Sequence, residues 1–352
     1  MISIIGAGPS GSYLAYLLAR AGKDVSVFEE HDEIGKPVQC TGLVTGLIKD
    51  FIELKRDFVV NEISKVKIIA PDGSEADFNL NNPNYVIDRG KFDGYVASLA
   101  RKEGVKFHLG KRFSDFKDGK VLFGDGSSFA SDYLVGADGV LSSVAKKFDM
   151  FNNRKFMNAM QARVKGRFAR DTFVVYLGVG YFGWSVPESE EISRVGVIIT
   201  KGEVKKCFED VLEKVKGKVI EYQSGLIPLY QPLVKCSKEN VFLVGDAATH
   251  CKASTHGGIV QGMIGGGALC EALIGGKDYE KLWKKKLGKD LKTHLKIREK
   301  IDKMGEDDLN YLVKLVRKEK VKKILEEYDR DHASKIALGL LLREPRFLKF
   351  VF

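Results

Sequence analysis

The chain has 352 residues, 44% hydrophobic and 30% charged, enough for a sizeable core and two domains rather than a disordered tail. Its five cysteines are scattered without a CxxC pair, which excludes a secreted disulfide scaffold and a zinc knuckle, so no metal site is expected and the expected compartment is reducing. Of the net charge of +10, residues 277–352 carry +8, from 22 Lys+Arg against 14 Asp+Glu.

In chain order, Ile2-Ser3-Ile4-Ile5 predicts a strand, Gly6-Ala7-Gly8-Pro9-Ser10-Gly11 a tight turn, and the following residues a helix to about Ala21, with Gly22 as its stop. Val25-Ser26-Val27-Phe28 predicts a second strand, completing the first βαβ half of a nucleotide-binding fold. This strand and turn follow Met1 directly, so no leader peptide is expected. Hairpins are expected around Pro71-Asp72-Gly73 and Asp125-Gly126. From about 155 to 227 the pattern is strand-rich, with one helix near 204–215, and predicts a sheet domain. Val241-Phe242-Leu243-Val244 then returns to a buried strand, and 257–273 predicts a small-residue helix whose Gly262, Gly265, Gly266 and Gly267 permit close packing. Lys/Glu/Leu helices follow. No run of about 18 apolar residues predicts a membrane span.

The opening turn carries the chemistry. A dinucleotide pyrophosphate needs backbone N–H groups at a helix N-terminus, and side chains would block its approach, so Gly6, Gly8 and Gly11 are expected to cradle it. Glu29, 18 residues after Gly11 at the end of the second strand, is expected to accept from the ribose hydroxyls. A second GxGxxG, Gly178 to Gly183, runs into Trp184-Ser185-Val186-Pro187 with no helix behind it, so it is expected to shape a bend.

Val135-Gly136-Ala137-Asp138-Gly139 and Val244-Gly245-Asp246-Ala247-Ala248 each end a buried strand in a Gly/Asp turn. With the opening motif, at this order and spacing, they resemble FAD-binding flavoproteins of the para-hydroxybenzoate hydroxylase fold. Asp88-Arg89-x-x-Phe92-Asp93 resembles that fold's arginine motif and implies Arg89 near the flavin. Within the fold, the chain resembles the geranylgeranyl reductase family, especially the archaeal digeranylgeranylglycerophospholipid reductases, over about residues 1–275. Lys36-Pro37-Val38-Gln39-Cys40-Thr41-Gly42 looks like the family's flavin-side Cys loop. Asp246, Lys252 and Thr255-x-Gly257-Gly258-Ile259 look like its flavin run, and Phe182-Gly183-Trp184-Ser185-Val186-Pro187 like its Tyr-x-Trp-x-Phe-Pro substrate signature. Phe182, Val186 and Ala253 depart from the family's Tyr, Phe and Pro.

The resemblance implies a Rossmann-like FAD-binding domain (1–59, 86–152 and 233–275), interleaved with a mostly antiparallel substrate sheet (60–85 and 153–232), plus a basic helical cap (276–352). It implies an oxidoreductase that saturates isolated C=C bonds in a prenyl lipid, drawing on ferredoxin, NAD(P)H or another reductant. FAD would be held by Gly6, Gly8, Gly11, Glu29, Cys40, Thr41, Gly42, Arg89, Asp246, Gly258 and Ile259, with Cys40, Trp184 and Phe182 as candidate catalytic residues. Alternatives stay open at several of these. Cys40 is a flavin-side group or an inert small hydrophobe, alone or paired with Cys251. His250 and His256 are proton donors or ordinary hydrogen-bonding groups. Trp184 and Phe182 stabilise developing positive charge or simply line the pocket. A monooxygenase and a non-catalytic prenyl-binding escort are the rival functions.

The cap also has two readings. Lys284, Lys285, Lys286, Lys289, Lys292 and Lys296 run beside an apolar stripe of Leu282, Trp283, Leu287, Leu291 and Leu295. Either the helix packs on the core with a solvated charged face, or it docks a cytoplasmic protein peripherally on anionic lipid. Nucleic acid is not expected, because no reader motif accompanies the charge.

Overall fold

In a computed structural model, which describes residues 1–152, 154–200 and 202–351, three sheets and a set of helices build the molecule. Strand β1 (Ile2–Ile5), helix α1 (Pro9–Arg20) and strand β2 (Val25–Phe28) form the expected βαβ start, and Gly22 turns the chain with φ 74°. Both strands are buried on every residue, as a parallel sheet covered on two faces requires. β1 sits centrally, between Tyr133–Gly136 and β2. Val241–Leu243 and Lys106–His108 extend the sheet on either side, all parallel, and Ser237–Lys238 closes one edge antiparallel. Helix Ile259–Gly275 packs across α1. Gly262 permits that approach, since a Cβ there would lie 2.0 Å from Ser10 Oγ, while Gly265 makes room for His250, whose Nδ1 would lie 2.5 Å from its Cβ.

The second sheet has eight strands, in the order Lys218–Pro228, Phe156–Lys165, Ile192–Ile199, Phe182–Pro187, Thr172–Tyr176, Val59–Ile69, Glu75–Ile87 and Leu43–Val44. Only Thr172–Tyr176 beside Val59–Ile69 is a parallel pair. Two segments cross the expected domain limits: Leu43–Val44 pairs with Glu75–Ile87 in this sheet, and the latter strand runs on to residue 87. One face packs under helix Val204–Val215 through Phe208 and Val211. The second GxGxxG contains a turn with positive φ at Gly178 and Gly180, and the chain then enters strand Phe182–Pro187 with no phosphate-binding helix behind it. Phe113–Lys117, Lys120–Phe123 and Ser128–Ala130 form the small third sheet.

The C-terminal helices divide between two cores. Trp283, Leu287 and Leu291 are buried in the nucleotide-domain core, with Leu282 and Leu295 packed against it, so the apolar stripe beside the lysines is covered by protein. That corrects the lipid-docking reading of this helix: the face that would have entered a bilayer belongs to the fold. Val313, Leu315, Val321, Ile324, Leu340 and Phe347 instead pack with Val66, Ala76 and Phe78 of the large sheet. The cap thereby bridges both sheets. Among the described residues, no helix is long and apolar enough to cross a membrane.

Candidate functional site

The three glycines of the opening turn have different tasks. A Cβ on Gly6, whose φ is 103°, would stand 2.4 Å from the Ala137 carbonyl oxygen, and one on Gly11 would stand 2.1 Å from the Gly6 carbonyl oxygen. Both therefore let the turn fold against itself and against the strand Tyr133–Gly136. This corrects the expectation that all three clear the way for a ligand. Gly8 does: a Cβ there would meet nothing within 4 Å, and Gly8 is the N-cap of α1 with no side chain capping the helix. The first-turn N–H groups of α1 thus remain available to an anion.

Glu29 stands beside this turn. One carboxylate oxygen accepts the Ala7 N–H at 2.8 Å, and the other lies 2.7 Å from His31 Nδ1 and accepts the His31 N–H at 3.1 Å. The partner His31 was not singled out in the sequence, although it lies only two positions on.

The two Gly/Asp turns also separate. Asp138 accepts from Ser142 Oγ at 2.6 Å and from the Val144 N–H at 3.0 Å, so its carboxylate braces the turn into helix Ser143–Lys147. Among the described residues, no hydrogen-bond donor reaches the Asp246 carboxylate; burial raises its pKa, and Arg89 and Arg154 oppose that rise. Gly258, the N-cap of helix Ile259–Gly275, brings the backbone so close that a Cβ there would lie 2.7 Å from Asp246 Oδ1. Ile259 begins that helix and packs with the core around Tyr13 and Met263.

Arg89 grips Asp93 through two hydrogen bonds of 2.9 and 2.8 Å and also interacts with Cys40. Burial works against the charge on Arg89, yet Asp93 and Cys40 hold it protonated, well above its usual range. Cys40, half-buried, accepts the Gly42 N–H at 3.3 Å and lies within electrostatic range of buried Cys251. All five cysteines are free thiols, so Cys40 and Cys251 form no disulfide. Burial, reinforced by Asp246, pushes the Cys251 thiol well above its ordinary pKa. Thr41 donates to Gln161 Oε1 at 2.7 Å, and its carbonyl accepts from Arg194 at 2.6 Å, tying the Cys40 loop to the large sheet. Gly42, with φ 67°, fits closely against Ile87, since a Cβ would lie 2.5 Å from that carbonyl oxygen.

The large sheet contributes an aromatic wall. Phe182 and Trp184 meet edge-on at 6.1 Å, Tyr181 and Phe182 lie 5.3 Å apart, and His256 of the 245–258 run stands edge-on to Tyr181 at 5.4 Å. Tyr181 donates to the Ser254 carbonyl at 3.3 Å, so a phenol is present one position before the signature position held by Phe182. Among the described residues, buried Trp184 Nε1 has no hydrogen-bond partner. Arg298, from helix Lys289–Ile301, lies 3.5 Å over the Tyr181 ring, 3.2 Å from His256 Nε2, and pairs with Asp302. Burial pushes the pKa values of His250 and His256 down to about 3, with Arg298 adding to the shift at His256. Both are neutral near pH 7, which makes them poor proton donors. His250 packs 4.8 Å from the Trp283 ring, away from the wall.

Lys252 forms a buried ion pair with Asp331, which also accepts from Thr45 and, at 2.8 Å, from Gln261. Beside this knot lies a cavity of about 110 Å³ lined by Lys252, Gln261, His294 and Asp331 among others. Asp331 and Arg298 escaped the sequence reading because Lys252, and Tyr181 and His256, the groups that they meet at the site, lie far from them along the chain.

These residues fit FAD. An uncapped helix start opens on space at Gly8, Glu29 stands beside it, and Asp246 has no donor among the described residues. Arg89 lies within electrostatic range of both Cys40 and Asp246, which brings the Cys40 loop and the start of the 245–258 run together. Residues 4–40 match the family model for an NAD(P)-binding Rossmann-like domain. The digeranylgeranylglycerophospholipid reductase of Methanothrix thermoacetophila is 27% identical, over 92% of this chain and 93% of that one. An uncharacterised protein of Methanocaldococcus jannaschii is 29% identical, over 97% of this chain and 94% of its own. The crystal structure of a geranylgeranyl bacteriochlorophyll reductase-like protein from Thermoplasma acidophilum superposes with a TM-score of 0.88 at 23% identity, over 99% of this chain and 97% of that one. The chain has the geranylgeranyl reductase-like fold and is similar over nearly its whole length to the digeranylgeranylglycerophospholipid reductases.

Proposed function

We propose that this chain is an FAD-dependent oxidoreductase that saturates isolated C=C bonds in the prenyl chains of an isoprenoid lipid. The observation that carries the reading is the aromatic wall of Tyr181, Phe182 and Trp184, which meets the 245–258 run at His256 and Ser254. When bound and reduced, the flavin supplies a hydride equivalent.

The protein's own groups do the rest. The start of α1 and Glu29 would hold the pyrophosphate and ribose, and Asp246 would serve the ribityl part. Phe182 and Trp184 orient the chain and face the carbon on which positive charge develops. The wall also keeps water from that carbon. Cys40, beside Arg89, is proposed to act at the flavin side; the hydride equivalent forms one new C–H bond and a proton drawn from solvent forms the other. The substrate is a prenyl lipid, and the reductant is a ferredoxin, NAD(P)H or another external donor, met at a cytoplasmic membrane surface.

The test is anaerobic incubation of the dithionite-reduced holoenzyme with a geranylgeranyl glycerolipid. The expected product carries one added H2 for each bond reduced, read by mass spectrometry. Substrate-stimulated NAD(P)H oxidation in air with a hydroxylated product would replace this reading with a monooxygenase. Tight lipid binding with no FAD in the purified protein would replace it with an escort.

A further inference from the structure

We propose that the outer face of helix Ala333–Arg343 and the segment after it is the surface by which the protein rests on an anionic lipid bilayer. The proposal goes beyond the catalytic reading and does not depend on it. This helix is apolar nearly all the way round. One face is spent on the fold: Ala337 and Leu340 are buried, and Ile336 and Leu341 pack against the core shared with the large sheet. The other is not. Leu338 is 57% exposed and Leu342, one turn on, 75% exposed, and Leu348 in the next helix is 52% exposed.

Leu338 and Leu342 lie on one side of the helix, with Lys335 one turn before them. Water-facing leucines at this spacing cost solubility unless something covers them, and their surroundings name the cover. Residues 333–349 contain four basic side chains, Lys335, Arg343, Arg346 and Lys349, all exposed, and a single acid, Glu344. Glu344 is only 2% exposed and is engaged by Lys318, Lys320 and Arg346, while Lys349 pairs with Asp308 of helix Glu306–Val316. The outward surface therefore presents exposed leucines flanked on the same helix by exposed Lys335 and Arg343, the composition that suits the headgroup boundary of an anionic bilayer: the leucines enter the acyl edge while Lys335 and Arg343 meet the phosphates. The lysine run at 284–286 lacks this pairing, because its neighbouring apolar residues are buried.

The test is co-sedimentation of the holoenzyme with vesicles of phosphatidylglycerol mixed into phosphatidylcholine, against phosphatidylcholine alone. Wild type should bind the anionic vesicles and release with added salt. L338Q/L342Q should lower the partition coefficient by about tenfold or more while keeping the circular dichroism spectrum and flavin content. L338W/L342W should restore binding, since tryptophan also sits at the interface. Unchanged binding of L338Q/L342Q, or no binding by wild type, overturns the proposal. So does conversion of a wild-type dimer to a monomer by L338Q/L342Q in light scattering, which would give the face to a second copy of the chain.

Discussion

Replacing Gly8 and Gly11 in turn separates ligand clearance from fold clearance within one short motif. At Gly8 the backbone has φ −66° and ψ 179°, which any residue adopts, and a Cβ meets nothing within 4 Å. Gly8→Val should therefore change the stability of the cofactor-free protein by no more than about 1 kcal/mol, a poorer N-cap offset by lower unfolded-chain entropy. FAD should bind far more weakly, because the branched side chain fills the space in front of the α1 N–H groups. At Gly11 the smallest side chain already stands 2.1 Å from the Gly6 carbonyl oxygen and 3.0 Å from Ala137 Cβ, so backbone must move. Gly11→Ala should cost about 1 to 3 kcal/mol or more in the cofactor-free protein, the usual range for overpacking. Urea unfolding of the stripped proteins and fluorescence titration with FAD read the two effects independently. Wild-type FAD affinity in Gly8→Val, or wild-type stability in Gly11→Ala, would refute the division of labour.

Glu29→Ala should weaken FAD by about 1 to 3 kcal/mol, the worth of a charged hydrogen bond, measured by calorimetric titration. Asp246→Ala should lower FAD affinity with little effect on cofactor-free stability, whereas Asp138→Ala should lower the melting temperature, since only Asp138 braces Ser142 and Val144. Cys40→Ala should retain FAD but turn over more slowly; a wild-type rate would make the thiol structural. Burial pushes the pKa values of His250, His256 and His294 down to about 3, against about 6.5 unfolded. Between those values the unfolded chain binds protons that the fold refuses, so this stability is complete above about pH 6.5 and is lost as the pH falls toward 3. Three such groups give a slope of up to about 4 kcal/mol per pH unit, and equal urea midpoints at about pH 7.5 and 5 would contradict it.

Features set by local pattern were legible in the sequence. β1, α1 and β2 follow from apolar runs broken by glycine, and 204–215 reads as a helix from its 3.6-residue period. What a residue faces across the fold was not legible. The periodic stripe at Leu282 to Leu295 announces an apolar face but carries no signal for what covers it. Gly6 and Gly11 look alike as ligand clearances until the Ala137 and Gly6 carbonyls stand beside them. Lys252 and Asp331 are 79 residues apart, and their ion pair depends on the cap reaching back to the nucleotide domain. Tyr181 was hidden by register, one position off a motif that assigns the aromatic to residue 182.

The parallel sheet around β1 draws its strands from the whole length between residues 2 and 243. During synthesis, β1 emerges among the first residues and waits for Tyr133–Gly136 before its second edge is paired, and that strand in turn waits for Val241–Leu243. Pairings this distant in sequence pay loop-closure entropy before any contact repays it, so the nucleotide half forms late and slowly. Until then its strands, rich in Ile and Val, present open edges on which one nascent chain can associate with another. A fragment cut at any point before residue 241 lacks a strand of that sheet, so no N-terminal piece shorter than this can form it whole.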